Sequence, residues 1–387
     1  MYHNGFIHQT ARRYNYNFID SVRLINHDNA WHGLTRHYHA LKKPQYGDRD
    51  RFLVQHFDTE YFYNGIGFTT ENFITMIRHL DIDPVRFVIM TNHYGSSEYW
   101  YRFCPSELNR FHVIESPLTF PILSALQNYF LPPEFYCQYH FVCMMGVMKT
   151  HRSLLLKFLH QHNLINNNLI TARTNEPDGT APPEWKNHHD KEFEPKLHYL
   201  STTPFTRIND SWKFDSIMSS LCKIEEPPGI IKNKAIEKIA WRGKGGGNFY
   251  DCPWYRNVFA DIVTETVYHE PYPFVSEKTI RPLVNYRPFV LLGAPGTLKM
   301  LKNFGFKTFG DFWDESYDDE QDPNARFHMV CQQISWIASW SAEECQAKLF
   351  EMRDILCHNH ANFMSWASDP WVHIDNLDES VLKLNHD

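Results

Sequence analysis

Two adjacent residues of opposite charge, Glu277 and Lys278, stand just before a segment with a helical pattern. Pro282 fits that helix only if it begins near Ile280, because proline is tolerated in a first turn and disrupts a helix interior. The pair is therefore predicted to lie in the loop that enters the helix. A carboxylate can hold a ribose diol while the neighbouring ammonium meets a diphosphate, so the pair suits a nucleotide. An exposed Glu-Lys pair is equally compatible with plain solvated surface.

A second candidate is the turn GAPGT, which follows a predicted strand at 289–293 and leads straight into a helix. Such a turn places backbone N–H groups at the carboxyl edge of a sheet, where phosphates bind. The sequence contains neither GxGxxG nor GxxxxGK[ST] here, so no dinucleotide or Walker motif is present. We predict phosphate contacts at Gly293, Gly296 and Thr297. A strand-to-helix turn that simply needs small residues remains the alternative.

The elements that must carry these residues alternate along the chain. Apolar runs bounded by turn residues predict strands, and apolar positions at helical spacing predict helices of about ten to fifteen residues. This alternation predicts parallel sheets with helices on both faces. Predicted strands are 52–57, 86–91, 141–148, 169–172, 259–265 and 289–293; predicted helices are 70–80, 153–162, one after Glu277, one from Pro295, and two long ones between Pro323 and Ala367.

Composition limits the protein class. The chain has 387 residues, enough for two or three domains, and its 43% apolar and 16% aromatic content excludes a disordered protein. A net charge of −7 argues against a non-specific nucleic-acid coat protein, although a local basic groove stays open. The eight cysteines show no CxxC spacing, which argues against a zinc module and predicts a reduced, cytoplasmic compartment. No apolar run is long enough to predict a membrane span.

Three segments together resemble the α-1,3-fucosyltransferase family. EPYPFVSEKTIRPL resembles the run in which Tyr-Val-Thr-Glu-Lys precedes the donor-binding helix. The Thr-Glu-Thr at 264–266 occupies the place of that family's Glu-Asn-Ser, although the Asn is missing. Upstream, FVCMMGVMKTHRSLLLKFLHQHNLI resembles the strand that leads into a helix starting with arginine, and Arg152 stands at the arginine position. The order and approximate spacing of the three segments agree with the family.

A longer resemblance covers the run RPFVLLGAPGTLKMLKNFGFKTFGDFWDESYDDEQDP. It is similar to glycosyltransferase-like proteins of tailed phages and other viruses, some of which add arabinose or glucose to hydroxymethylated cytosine in DNA. The two resemblances together span roughly 141–326. Residues 1–50 and the region 174–247 match nothing that we can name.

The resemblance implies an α/β protein with two Rossmann-like domains that face a cleft, the GT-B type, followed by C-terminal helices. It implies an acceptor-side domain at 1–135 and a nucleotide-sugar domain at 136–345. The polar stretch at about 174–247, with its Pro182-Pro183 and HHDKE runs, is predicted to be an insertion in the second domain. Residues 346–387 are predicted to form a helical extension.

By the same resemblance, Arg152 and Lys278 neutralise the diphosphate of the donor and Glu277 holds its ribose. A departing nucleoside diphosphate develops negative charge that needs either a divalent metal or fixed cations. No Asp-x-Asp stands in the strand-end context of a metal-dependent enzyme, so we predict no metal and no cofactor besides the nucleotide sugar. The adjacent Asp318, Asp319 and Glu320 are predicted to form a solvated loop. The predicted donor-binding set is Arg152, Glu265, Glu277, Lys278, Arg281, Gly293, Gly296 and Thr297.

The acceptor hydroxyl needs a general base in the other domain, at the end of a strand. Asp58 and Glu60 directly follow the predicted strand 52–57 and are our predicted catalytic residues. Glu98, with His93 nearby, is the second choice.

Two further cations are predicted to contact the acceptor. Arg242 and Lys244 stand in a glycine-rich loop between Trp241 and Phe249, a combination that can bind a phosphate backbone and stack on a base. A mobile surface loop explains the same residues.

These observations predict a metal-independent, inverting glycosyltransferase that moves a sugar from a nucleoside diphosphate to a hydroxyl group. The phage-like resemblance favours a hydroxymethylated pyrimidine in DNA as acceptor, which would have to leave the base stack. A glycan or lipopolysaccharide acceptor is the alternative within the class. An inactive nucleotide- or glycan-binding adaptor and a virion structural protein are alternatives of other classes. Oligomeric state is not predicted.

Overall fold

The chain forms two compact units, each built on a parallel sheet. The first comprises Met1–Gln127, Glu270–Glu277 and Met364–Asp387, and the second comprises Asn128–His269 and Lys278–Phe363. The prediction of a mixed α/β fold with parallel sheets is confirmed. The structure, a computed structural model, describes residues 17–20, 52–56, 74, 77–78, 83–108, 110–118, 135–147, 150–165, 168–173, 207–208, 211–212 and 253–368.

The first unit contains four parallel strands in the order of the sequence. All five residues of the third strand are buried, as expected for a continuous apolar run in a parallel sheet. Of the helix predicted at 70–80, the described positions Ile74, Ile77 and Arg78 are helical. The elements are β1 (Asn17–Asp20), β2 (Phe52–His56), β3 (Phe87–Thr91), helix α1 (Ser97–Phe103) and β4 (His112–Glu115).

The second unit contains a four-stranded parallel sheet whose order differs from the order of the sequence. Its elements are β5 (Tyr139–Val147), α2 (Thr150–Gln161), β6 (Leu169–Arg173), β7 (Arg207–Ile208), β8 (Ser211–Trp212), β9 (Val258–Thr264), α3 (Glu277–Val284), β10 (Phe289–Leu292) and α4 (Thr297–Asn303). Counted across the sheet, the strands run β10-β9-β5-β6. Between β6 and β9, in the region predicted to be an insertion, the described residues form one short antiparallel pair, β7 and β8.

Three helices, not the two predicted, follow the second sheet: α5 (Pro323–Ala338), α6 (Ala342–Glu351) and α7 (Arg353–Ser368). The break after α5 has a local cause. Ser341 forms a capping box with Glu344, in which the Glu344 amide donates to the Ser341 hydroxyl at 3.2 Å and the Ser341 amide donates to the Glu344 carboxylate at 2.6 Å. This reciprocal capping starts a new helix.

Short 3₁₀ turns at Pro84–Arg86, Pro253–Asn257 and Ser316–Asp318 complete the described elements. Within the part of the chain that the structure describes, no helix combines the length and the apolar character needed to cross a bilayer.

Candidate functional site

The topology of the second sheet identifies one edge as the place for a ligand. From β5 the chain adds β6 on one side, and it later adds β9 and then β10 on the other side of β5. The strand order therefore reverses between β5 and β9. In open parallel sheets, ligands bind beyond the carboxyl ends of the strands at such a reversal. The residues that follow β5, β9 and β10 therefore form the candidate site.

The first turn of α2 is attached to the end of β9 by two consecutive side chains. Arg152 is 2% exposed, and its Nη2 donates to the Thr264 carbonyl oxygen at 2.9 Å. His151 Nε2 lies 2.9 Å from the Glu265 carbonyl oxygen and donates to it, since a carbonyl can only accept. The His151 ring also stacks on Tyr268, with centroids 5.0 Å apart. The sequence reasoning selected Arg152 but missed His151, for which its place beside Arg152 was the only signal.

Glu265 is fully buried, and both of its carboxylate oxygens accept hydrogen bonds from the protein. Oε1 accepts from the Thr279 hydroxyl at 2.6 Å and from the Thr279 amide at 3.3 Å, while Oε2 accepts from the Thr266 amide at 3.3 Å. The carboxylate thus satisfies the first turn of α3, where amides lack intrahelical partners. The structure pairs this carboxylate with protein donors, and the donor contact predicted for Glu265 stays a prediction.

This cap also corrects the predicted start of α3. The helix begins at Glu277 and not near Ile280, so Glu277 and Lys278 form its first turn and Pro282 lies inside it. Pro282 removes one backbone hydrogen bond from the helix. Glu265 supplies acceptors to the same helix from the end of β9, which a reading of the local sequence alone could not include.

Lys278 meets the end of β9 from the side of α3. It is half-buried, and its Nζ donates to the Thr266 hydroxyl at 3.1 Å. The structure therefore brings the two predicted diphosphate-binding cations, Arg152 and Lys278, to residues 264 and 266 of the same segment. We call Thr264–Tyr268 the β9 edge. Glu277 is half-buried as the first residue of α3.

Arg281 lies deeper, beside the fully buried carboxyl of Asp261 in the middle of β9. Burial raises the pKa of Asp261 to about 6, while the Arg281 charge and a hydrogen bond from the Tyr255 hydroxyl oppose that rise. The charge of Arg281 therefore acts on a buried carboxyl group of the protein, and the donor contact predicted for Arg281 stays a prediction.

Asp318 holds the GAPGT turn in place through hydrogen bonds. Gly296 adopts a left-handed conformation with φ of 78°, and its amide donates to the Asp318 carbonyl at 2.7 Å. The amides of Leu298 and Lys299 donate to the Asp318 carboxylate, each at 2.9 Å. These amides are thus already paired with Asp318, while the phosphate contacts predicted at Gly293, Gly296 and Thr297 stay a prediction. Asp318 is 7% exposed, so the prediction of a solvated loop is wrong for it.

The other predicted residues of this turn also have internal partners. The Thr297 hydroxyl donates to the Ala294 carbonyl at 2.7 Å. The Gly293 carbonyl accepts from Nε of Arg326 at 3.2 Å.

Arg326, which the sequence reasoning missed, joins the turn to the β9 edge. Its Nη2 donates to the Tyr268 carbonyl, and its guanidinium stands 4.5 Å from the centroid of the Tyr268 ring. The Tyr268 hydroxyl in turn donates to the Pro323 carbonyl at 2.6 Å. No motif or spacing marked Arg326, because its partners are backbone carbonyls far away in the sequence.

In the first unit, the carboxyl ends of β3 and β4 are organised by Glu115. Its carboxylate accepts from the Gly95 amide at 2.6 Å and from the Ser97 amide at 2.7 Å, and so caps α1. His93 is fully buried, with its ring 5.4 Å from that of Phe274.

Of the predicted base candidates, Glu98 is exposed on α1. The predicted residues Asp58, Glu60, Arg242 and Lys244 lie outside the described residues.

In the described ranges, no group of three or more His, Cys, Asp or Glu side chains is arranged to hold a metal ion. The chain matches no known protein-family model, and no curated protein is significantly similar to it.

Proposed function

We propose that this protein is a glycosyltransferase that moves a sugar from a nucleoside diphosphate to a hydroxyl acceptor. The observation that carries the proposal is the meeting of Arg152 and Lys278 at the β9 edge, where the strand order of the second sheet reverses. Two cations at the carboxyl edge of a parallel sheet, beside the reversal of strand order, suit a diphosphate. The resemblance of three segments to glycosyltransferases supports the same function.

In this proposal the two cations act differently. Lys278 is half-buried, so its ammonium can reach a phosphate oxygen directly. Arg152 is buried beneath the edge, where its charge acts through surroundings of low polarity and is therefore weakly screened. Negative charge that develops on a departing diphosphate is stabilised by both. Because the Asp318 carboxylate already accepts from the Leu298 and Lys299 amides of α4, we assign this stabilisation to side chains and not to that helix terminus.

The proposed reaction is an inverting displacement. A base of the first unit, Asp58 or Glu60, takes the proton of the acceptor hydroxyl. The acceptor oxygen bonds to the anomeric carbon while the bond from that carbon to the diphosphate oxygen breaks, and the electron pair leaves with the diphosphate. We propose that no metal and no cofactor other than the nucleotide sugar takes part.

The finer parts of the proposal are the GT-B arrangement and the acceptor. The two units would supply the two Rossmann-like domains. The acceptor would be a hydroxymethylated pyrimidine in DNA, contacted by Arg242 and Lys244, with a glycan as the alternative substrate. Activity would then take place in the cytoplasm of the producing or infected cell.

The experiment starts from binding. Uridine, guanosine and cytidine diphosphate are each added to the protein, and the melting temperature is measured. A ligand at a hundredfold excess over its Kd stabilises the folded state by about 2.7 kcal/mol. Lys278→Ala is expected to abolish most of the shift, while Lys307→Ala, which removes an exposed lysine from the turn after α4, is the matched control and should leave it unchanged.

Turnover is then tested with the sugar donor of the nucleotide that binds. Mass spectrometry compares hydroxymethylcytosine DNA, unmodified DNA and a glycan acceptor after incubation. Addition of one sugar to the hydroxymethylated DNA alone supports the proposed acceptor. Binding without transfer and without slow donor hydrolysis would identify an inactive adaptor, and the absence of any binding would refute the proposal.

A further inference from the structure

We infer that Thr266 and Glu265 are positioning residues that hold the ammonium of Lys278 in place before a ligand arrives. This inference rests on the proposed function, in which Lys278 contacts the diphosphate. The contacts themselves are independent of any ligand, and they allow a separate test.

The ammonium of Lys278 donates a hydrogen bond to a buried threonine. The Thr266 hydroxyl accepts from Nζ at 3.1 Å, and Thr266 is only 5% exposed. A buried threonine has a restricted side chain, because branching at Cβ limits rotation about χ1. Its hydroxyl therefore offers the ammonium a fixed acceptor.

A single carboxylate, that of Glu265, holds both the residue that accepts from the Lys278 ammonium and the backbone beside Lys278. Glu265 Oε2 accepts from the amide of Thr266, the residue that receives Nζ. Glu265 Oε1 accepts from the amide and hydroxyl of Thr279, the residue that follows Lys278 in the chain. The backbone next to Lys278 and the acceptor of its ammonium are thus held by the same group.

This arrangement needs a carboxylate at position 265. Two backbone amides and a hydroxyl donate to this carboxylate. A glutamine would turn an NH₂ group towards one of the amides, because its side chain has only one acceptor oxygen. Glu265→Gln should consequently weaken the arrangement although it conserves size.

The functional consequence concerns entropy. A lysine side chain loses much rotational freedom when it is fixed in one conformation. Because Thr266 and Glu265 fix it during folding, a diphosphate that binds Lys278 does not have to order it again. This is preorganisation, which strengthens binding without an added contact to the ligand.

The test uses a matched pair of substitutions at one position. Thr266→Val keeps the shape of the side chain and removes the acceptor, whereas Thr266→Ser keeps the hydroxyl. The Kd of whichever of uridine, guanosine or cytidine diphosphate binds the wild type is measured by calorimetry. We expect Thr266→Val to weaken binding about fivefold, because the diphosphate then has to order the lysine side chain itself. Thr266→Ser should stay within about twofold of the wild type.

A double mutant shows whether the effect passes through Lys278. In the Lys278→Ala background, Thr266→Val should cause no further loss, because the group that it positions is gone. Equal losses in both backgrounds would mean that Thr266 acts by another route, and they would overturn the inference.

A ligand-free measurement separates this inference from the proposed function. The rate at which Lys278 reacts with a succinimidyl ester is followed by mass spectrometry, with exposed Lys307 as the internal reference. Thr266→Val should increase the relative rate at Lys278 several-fold, and Thr266→Ser should not. An unchanged rate would overturn the inference even if diphosphates bind. An increased rate in a protein that binds no nucleoside diphosphate would refute the proposed function and leave the positioning contact established.

Discussion

Replacing Asp261 by asparagine should stabilise this protein at neutral and alkaline pH. Asp261 lies fully buried in β9, and burial raises the pKa of its carboxyl from 3.8 to about 6, although Arg281 and the Tyr255 hydroxyl oppose the rise. A carboxyl whose pKa is higher in the folded state favours folding when it is protonated. Its ionised form therefore lowers the free energy of unfolding at pH values above 6.

The magnitude follows from the two pKa values. A difference of one in pKa is worth about 1.36 kcal/mol. The difference between 3.8 and about 6 therefore corresponds to a loss of roughly 3 kcal/mol once the group is ionised. Asparagine resembles the protonated carboxyl, because it is neutral and its amide oxygen can still accept from Tyr255. The attraction of Arg281 for the ionised carboxylate of the wild type is already contained in the pKa of about 6, so it needs no separate allowance.

The free energy of unfolding of Asp261→Asn should exceed that of the wild type by an amount that grows as the pH rises. Between pH 3.8 and 6 the folded wild type binds more protons than the unfolded chain, so its stability falls as pH rises through this window. Asp261→Asn lacks this dependence. Its free energy of unfolding should exceed that of the wild type by about 2–3 kcal/mol at pH 8, and the excess should fade to nothing below about pH 3.5.

The assay is urea unfolding at five pH values from 3.5 to 8, followed by fluorescence of the tryptophans. Asp311→Asn is the matched control, because it removes one carboxylate from an exposed position and should not change the pH dependence. A variant that is equally stable or less stable than the wild type at pH 8 would refute the reasoning, since it would mean that the ionised carboxylate is compensated within the fold.

Substitutions at three further positions test contacts at the GAPGT turn and the cap of α6. Asp318→Ala should lower the free energy of unfolding by about 2–4 kcal/mol in urea titrations, because it leaves the buried amide of Leu298 and that of Lys299 without their acceptor. Arg326→Met should lower the melting temperature by more than ten degrees, because two buried carbonyls lose their donors, whereas a fall of only a degree or two would contradict this role. Ser341→Ala should cost about 1 kcal/mol in the same urea assay through the lost capping box, and Ser341→Asp should restore most of it.

Much of the fold could be predicted because buried parallel strands are continuous apolar runs. The sequence placed the strands that became β3 and β9 within one residue at each end, since all of their residues are buried. The strand β4 was missed because it has four residues, of which only one is buried, so neither a run nor an alternation was visible. Helix α1 is seven residues long and begins where Glu115 caps it from eighteen residues away.

The sequence could indicate cations of the candidate site, but not the hydrogen-bond partners of the residues around them. Arg152 and Lys278 were selected from sequence, and the structure brings both to the β9 edge. The partners of Glu265 and Asp318 were not foreseen, because they include backbone amides 14 and 20 residues away, which a local pattern does not contain. In a sequence, a carboxylate that caps a distant helix cannot be distinguished from one that binds a ligand.

The central claim is that a nucleoside diphosphate binds at the β9 edge through Lys278. The most direct measurement is a crystal structure of the protein with the nucleoside diphosphate that raises its melting temperature. The account predicts that a phosphate oxygen lies within hydrogen-bonding distance of Lys278 Nζ, beyond the carboxyl ends of β5 and β9. A diphosphate bound at another edge of the fold, out of reach of Lys278 Nζ, would contradict it.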